Sequence, residues 1–189
     1  MFRLTPTTIL IIANVLVFAY TSVVGGSFPY TNTIVLEQLG QYNRYVMMRG
    51  WYWQLLTSIF VHADIIHLLL NMIFLLIFGF RAEELFSKGE FFAIYFVSGL
   101  VGSLLTLLLM PLNTISVGAS GAIFGMFGAV VIYLRKVLGG SIIGALIISF
   151  YFLLLNSASP QINLFAHFGG LFAGLLIGYL LAKSRKIIL

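Results

Sequence analysis

Apolar residues run along this chain in blocks too long for strands, separated by short polar punctuation. Residues 91–134 contain no charged side chain, and neither do residues 137–182. A helix crossing the hydrocarbon core needs about 20 predominantly apolar residues, so each block has room for two spans. The first block divides at MPLNT (110–114) and the second at NSASPQ (156–161), where proline and asparagine mark turns. With two earlier apolar runs, the pattern predicts six spans, near residues 8–24, 62–80, 91–109, 118–134, 142–155 and 162–182. The connector over residues 25–55 carries Tyr30, Tyr42, Tyr45, Trp51, Tyr52 and Trp53. Such side chains favour the headgroup level, so a long interfacial loop is expected between the first two spans. The predicted fold class is all-α: a polytopic membrane protein, one domain over residues 1–189.

Composition supports a membrane protein over a soluble one. Hydrophobic residues make up 61% of the chain and charged residues 8%, against about 25% charged in soluble domains. The net charge of +5 forms no basic face beside an aromatic platform, so nucleic acid is not an expected partner. The lipid bilayer is. Cysteine is absent, which excludes disulfides and thiolate chemistry. Arg3 before TILIIANVLVFAY resembles the start of a signal peptide. The apolar stretch is long for that, and no small-x-small site follows, so it is read as an uncleaved span.

Charge also orients the bundle. Six spans put Arg3, Arg81, Lys88, Arg135, Lys136, Lys183, Arg185 and Lys186 on the side of the termini, and only Arg44 and Arg49 opposite. The positive-inside rule makes the termini cytoplasmic. The expected location is an integral, multi-pass one, in the plasma membrane if the source is prokaryotic.

Three polar side chains then fall at one depth. Ser120 is 15 residues from Arg135, His167 is 16 from Lys183 and His67 is 14 from Arg81. At ~1.5 Å per residue these heights are ~22, ~24 and ~21 Å above the cytoplasmic anchors. Asn71 lies one turn below His67 on the same face, its side chain directed back towards that layer. Glycines 121, 125 and 128 on the fourth span, and 170, 174 and 178 on the sixth, form small-residue stripes that let backbones approach closely.

A serine beside a neutral histidine can attack a carbonyl while the imidazole takes its proton. Ser120 begins a predicted helix, whose unpaired amides suit a developing oxyanion, and the Asn71 amide and His67 ring add donors. Asp64 opens the second span, where a helix cap is its simpler role. The other acids lie away from the layer, so a Ser120–His167 dyad is expected. Taken singly, the serine can be a packing residue and Asn71 an interhelical tie. Three histidines raise a zinc site, but no HExxH occurs and no acid joins them at depth. No metal or cofactor is expected.

These residues resemble the rhomboid intramembrane serine proteases over essentially the whole chain. The match rests on GASG with Ser120, on HADIIHLLLN with His62, His67 and Asn71, on AHFGG with His167, and on FGFRAE ending the second span. The resemblance implies a six-helix core that cleaves transmembrane segments of other proteins through a Ser–His dyad. Ser120 is then the nucleophile and His167 the base. His67, Asn71 and the Ser120 amide form the oxyanion hole, with His62, Gly118 and Phe124 supporting the cavity. Two positions depart from the family: Trp53-Gln54 stands where many bacterial members carry Trp-Arg, and Phe124 where some have tyrosine. The NTISVGAS segment (113–120) is expected to form a re-entrant wall. A small transporter or channel, and a scaffold binding client helices, are the competing classes. A transporter normally shows repeats or a polar path through the bilayer, whereas polarity here stops at one layer.

Overall fold

The computed structural model describes residues 4–156 and 162–185, with side chains left out over 153–156. The turn expected at 156–161 falls almost wholly outside the described residues, as do Arg3 and Lys186. The chain is helical, with five helices long and apolar enough to cross a membrane and one shorter apolar helix.

Helix α1 (Pro6–Gly25) opens with a reciprocal cap: Thr5 Oγ1 accepts from the Thr8 amide, and the Thr8 hydroxyl accepts from the Thr5 amide. Pro6, with no N–H to leave unpaired, starts the helix, and Gly26 ends it in a left-handed conformation. The connector that follows is more structured than the expected loop. It contains α2 (Thr33–Leu39), β1 (Gln41–Tyr42), α3 (Asn43–Arg49) and α4 (Gln54–Thr57). Buried amide side chains pin it to the bundle. Asn43 Nδ2 donates to the carbonyls of Thr106, Met110 and Pro111, and Gln41 Nε2 to that of Ser103. The aromatic residues form a surface cluster in which the Arg49 guanidinium lies 4.0 Å from the centre of the Tyr45 ring.

Helix α5 (Ile65–Leu85) starts three residues after the predicted boundary, because Asp64 caps it: its carboxylate accepts from the His67 amide at 2.8 Å. It also runs past Phe80 through Arg81 and Glu84, which pair with each other. Hydropathy marks where hydrocarbon ends, whereas a helix continues until its backbone is capped. Helix α6 (Lys88–Leu109) begins at a Ser87/Glu90 capping box. After it, β2 (Ile115–Ser116) pairs antiparallel with β1, setting Gln41 opposite Ser116 and Tyr42 opposite Ile115. Helices α7 (Ser120–Val137), α8 (Ile142–Asn156) and α9 (Leu164–Ser184) complete the chain.

Helix α7 is the centre of the bundle: 67% of its apolar window is buried, against 28–39% in the other four long helices. At the glycines, its contact with α9 has no room for side chains. A Cβ on Gly170 would sit 1.9 Å from the Gly121 carbonyl oxygen, and one on Gly174 1.9 Å from that of Gly125. The predicted glycine stripes therefore meet backbone to backbone. A second close approach was not legible in advance: a Cβ on Gly102 of α6 would lie 2.5 Å from the Ala166 carbonyl oxygen of α9. Lipid gives helices no hydrophobic reason to associate, so such contacts supply the dispersion energy that does. Below the seam, Arg185 donates to the Leu85 carbonyl, the Tyr133 hydroxyl and the Glu90 carboxylate, tying the end of α9 to three other helices.

Candidate active site

Gly118 adopts φ +118°, a conformation that cannot begin a helix, and α7 therefore starts at Ser120 rather than at residue 118. The segment before it is held in place by the β1–β2 pair and by the Gly118 amide, which donates to the Ser58 carbonyl at 3.0 Å. The N-cap is Ala119, which has no side-chain acceptor, so the cap leaves the amides of the first turn uncovered. Ser120 is thus presented at a helix start with unspent backbone donors around it.

His167 lies one turn into α9, on the face that the glycine seam presses against α7. Its Nε2 is 2.8 Å from Ser120 Oγ. Their similar distances from Arg135 and Lys183 set these two side chains at one height, and the glycine seam supplies the lateral approach. Phe124, one turn below Ser120, stacks on the imidazole with ring centres 4.4 Å apart and planes at 28°. Phe152 of α8 packs on the other rings of this group, 5.3 Å from Phe124 and 4.4 Å from Phe127.

His67 and Asn71 face the same space from α5. The His67 ring lies against Gly118: a Cβ there would be 2.7 Å from Nε2 and 2.8 Å from Cε1. Asn71 Nδ2 donates to the His67 carbonyl at 2.8 Å, which occupies one of its two hydrogens, and its Oδ1 is buried with no protein partner among the described residues. His62 sits behind His67 and does not face the cavity. It is fully buried, packs edge-on against His67 at 5.1 Å, and its Nδ1 lies 3.3 Å from the Phe60 carbonyl.

Ser120, His167, His67, Asn71, Phe124 and Gly118 all line one cavity of about 570 Å³, and His62 does not. Leu36 of α2 closes part of it, so the connector contributes a wall. From the NTISVGAS segment, Ile115, Ser116 and Val117 line the cavity as well. The chemistry open to this arrangement is nucleophilic attack by a hydroxyl with an adjacent base, near amide donors able to stabilise negative charge.

Two polar residues, one beside the cavity and one in the connector, hold the structure in ways that spacing and hydropathy do not signal. Asn163 caps α9 and reaches across to α6 and β2, and only its place before LFAH, as an N-cap type, could have signalled it. Gln54, noted only as a departure, is fully buried. Its amide donates to the Glu37 and Gln38 carbonyls and accepts from the Tyr42 amide, so it anchors α4 to α2 and β1.

Residues 49–184 match the family model described as Rhomboid domain. The chain is 35% identical over 175 residues to RHOMBOID-like protein 6, mitochondrial, of Arabidopsis thaliana, covering 89% of this chain and 57% of that one. It is 34% identical over 141 residues to YdcA of Bacillus subtilis, covering 72% and 71%. With the Rhomboid protease GluP of Bacillus subtilis it shares 34% identity over 178 residues, covering 90% of this chain but 33% of the relative. The chain thus spans little more than half of the Arabidopsis relative and a third of GluP.

Proposed function

The chain belongs to the rhomboid family, and from that premise we propose that it is an intramembrane serine endopeptidase cleaving transmembrane segments of other proteins. The observation that carries this reading is the 2.8 Å contact between Ser120 Oγ and His167 Nε2 at a helix start that borders a large cavity. In the reaction, Ser120 Oγ attacks the scissile carbonyl as His167 takes its proton. The tetrahedral oxyanion is met by the Ser120 amide, the second Asn71 hydrogen and the His67 ring. Collapse expels the amine, which receives the proton from His167, and leaves an acyl-enzyme. Water, activated by the same imidazole, then releases the acid.

The six-span arrangement with cytoplasmic termini belongs to this reading, with the shorter helix α8 as the fifth span. It is supported by the bias of basic residues towards one side. The cavity then opens to the outer side, from which water enters. A substrate helix must unwind to expose its carbonyl, so helix-destabilising residues and small side chains near the bond favour cleavage.

The test compares the purified chain with Ser120→Ala and His167→Ala on a single-span substrate in detergent. Both variants are expected to bring cleavage to background, a loss of about a thousandfold or more. A fluorophosphonate should label Ser120, and His167→Ala should remove that label. Cleavage persisting in Ser120→Ala sinks the mechanism.

A further inference from the structure

Asn163 has every hydrogen-bonding valence of its side chain committed. Oδ1 accepts from the Phe165 and Ala166 amides, both at 3.1 Å, capping α9. Nδ2 donates to Thr106 Oγ1 of α6 at 2.8 Å and to Ser116 Oγ of β2 at 3.0 Å. A carboxamide carries two donors and two good acceptor sites, so this one is saturated by the protein. It borders the cavity that holds Ser120, yet has nothing left with which to bind a substrate.

Its partners define what it does. The Asn163 carbonyl accepts from the His167 amide at 3.3 Å, so the residue holds the turn on which the imidazole is carried. Ser116 stands four residues before Ser120, on the strand that sets the start of α7. The third partner, Thr106, passes the contact on by donating to the Gly102 carbonyl, beside the tight approach of α6 to α9. The glycine seam brings the backbones of α7 and α9 together along their length. The Asn163 bonds add fixed points at the start of α9, to β2 and to α6.

We propose that Asn163 is a positioning residue, which holds His167 at bonding distance from Ser120 by tying the first turn of α9 to β2 and to α6. The inference rests on the reading of Ser120 and His167 as nucleophile and base.

The experiment measures fluorophosphonate acylation of Ser120, together with kcat and KM on a single-span substrate, for the full chain in detergent. Asn163→Ala loses the cap and both bridges. It is expected to lower kcat and acylation by about 10- to 100-fold, with KM held within about twofold, since misplacement by about 1 Å can cost that much. Ser116→Ala cuts only the β2 bridge and leaves the helix cap and its midpoint of thermal unfolding intact. It should slow acylation by about three- to tenfold. Asn163→Asp keeps the cap and offers an oxygen to which the Ser116 hydroxyl can donate. It loses the Thr106 bridge, because that hydroxyl already donates to the Gly102 carbonyl. Its acylation rate should therefore fall between those of the parent and Asn163→Ala. Acylation at the parental rate in both alanine variants, per folded molecule, overturns the proposal, as does an effect on KM alone. A parent chain that no fluorophosphonate labels brings down the dyad reading and this proposal together. A labelled parent indifferent to positions 163 and 116 removes the positioning role alone.

Discussion

At residue 118 two constraints coincide that are usually met separately. The backbone is at φ +118°, where side chains are strained, and the space a Cβ would fill holds the His67 ring at 2.7 Å. Gly26 offers the comparison: φ is +60° there, but nothing lies within 4 Å. Gly26→Ala should therefore cost about 1 kcal/mol, from backbone conformation alone. Gly118→Ala should cost about 2–4 kcal/mol and displace His67, slowing Ser120 acylation at least about tenfold. Thermal unfolding and labelling rates measured together check both halves, and equal effects at the two glycines contradict the account. Ser120 and His167 could be singled out in the sequence because depth in a membrane helix is simple arithmetic from a charged anchor. The role of Gly118 could not, since a positive φ is set by what surrounds a glycine and leaves no periodic trace.

Among the elements, the connector between α1 and α5 departs furthest from expectation. Its aromatic residues announced an interfacial segment, but not three short helices and a strand. Those are organised by long-range bonds from amide side chains, which hydropathy cannot anticipate. Gln54 is the sharpest case, because a guanidinium cannot do what it does: the side chain both donates to two carbonyls and accepts from the Tyr42 amide. Gln54→Leu keeps the size and takes the partner from three part-buried backbone groups. The expected loss is about 2–4 kcal/mol, read as a lower unfolding midpoint in detergent, with Gln54→Ala no milder. An unchanged midpoint would mean that α4 is held by apolar packing. The long helices were legible because lipid imposes length and apolarity on each of them. Their ends shifted by a few residues wherever a cap such as Asp64 or Ser87 took over.

For the molecule as a whole, orientation is the property that charge predicts and packing does not. The chain has no cysteine, so an introduced thiol is the only one present. Met48 on α3 is 70% exposed, and Lys88, at the start of α6, is exposed at the opposite end of the bundle. In intact cells a membrane-impermeant maleimide should label Met48→Cys at once and Lys88→Cys only after permeabilisation. The reverse pattern would invert the bundle and place the cavity mouth in the cytoplasm. The order of spans and the common polar level were readable from sequence, whereas the central place of α7 was not. That place follows from how many neighbours its small residues admit.

The carbonyl-to-glycine contacts of α7 with α9 leave less room than one methyl group. Along that seam the units of inheritance and the units of chemistry come apart. A change at 170 or 174 is expected to silence the protein as completely as a change at the proposed nucleophile Ser120, although neither glycine would contribute a reacting atom. A catalogue of inactivating substitutions would therefore draw a line down the bundle rather than a point within it. The reacting pair would be the few positions on that line where a folded protein remains.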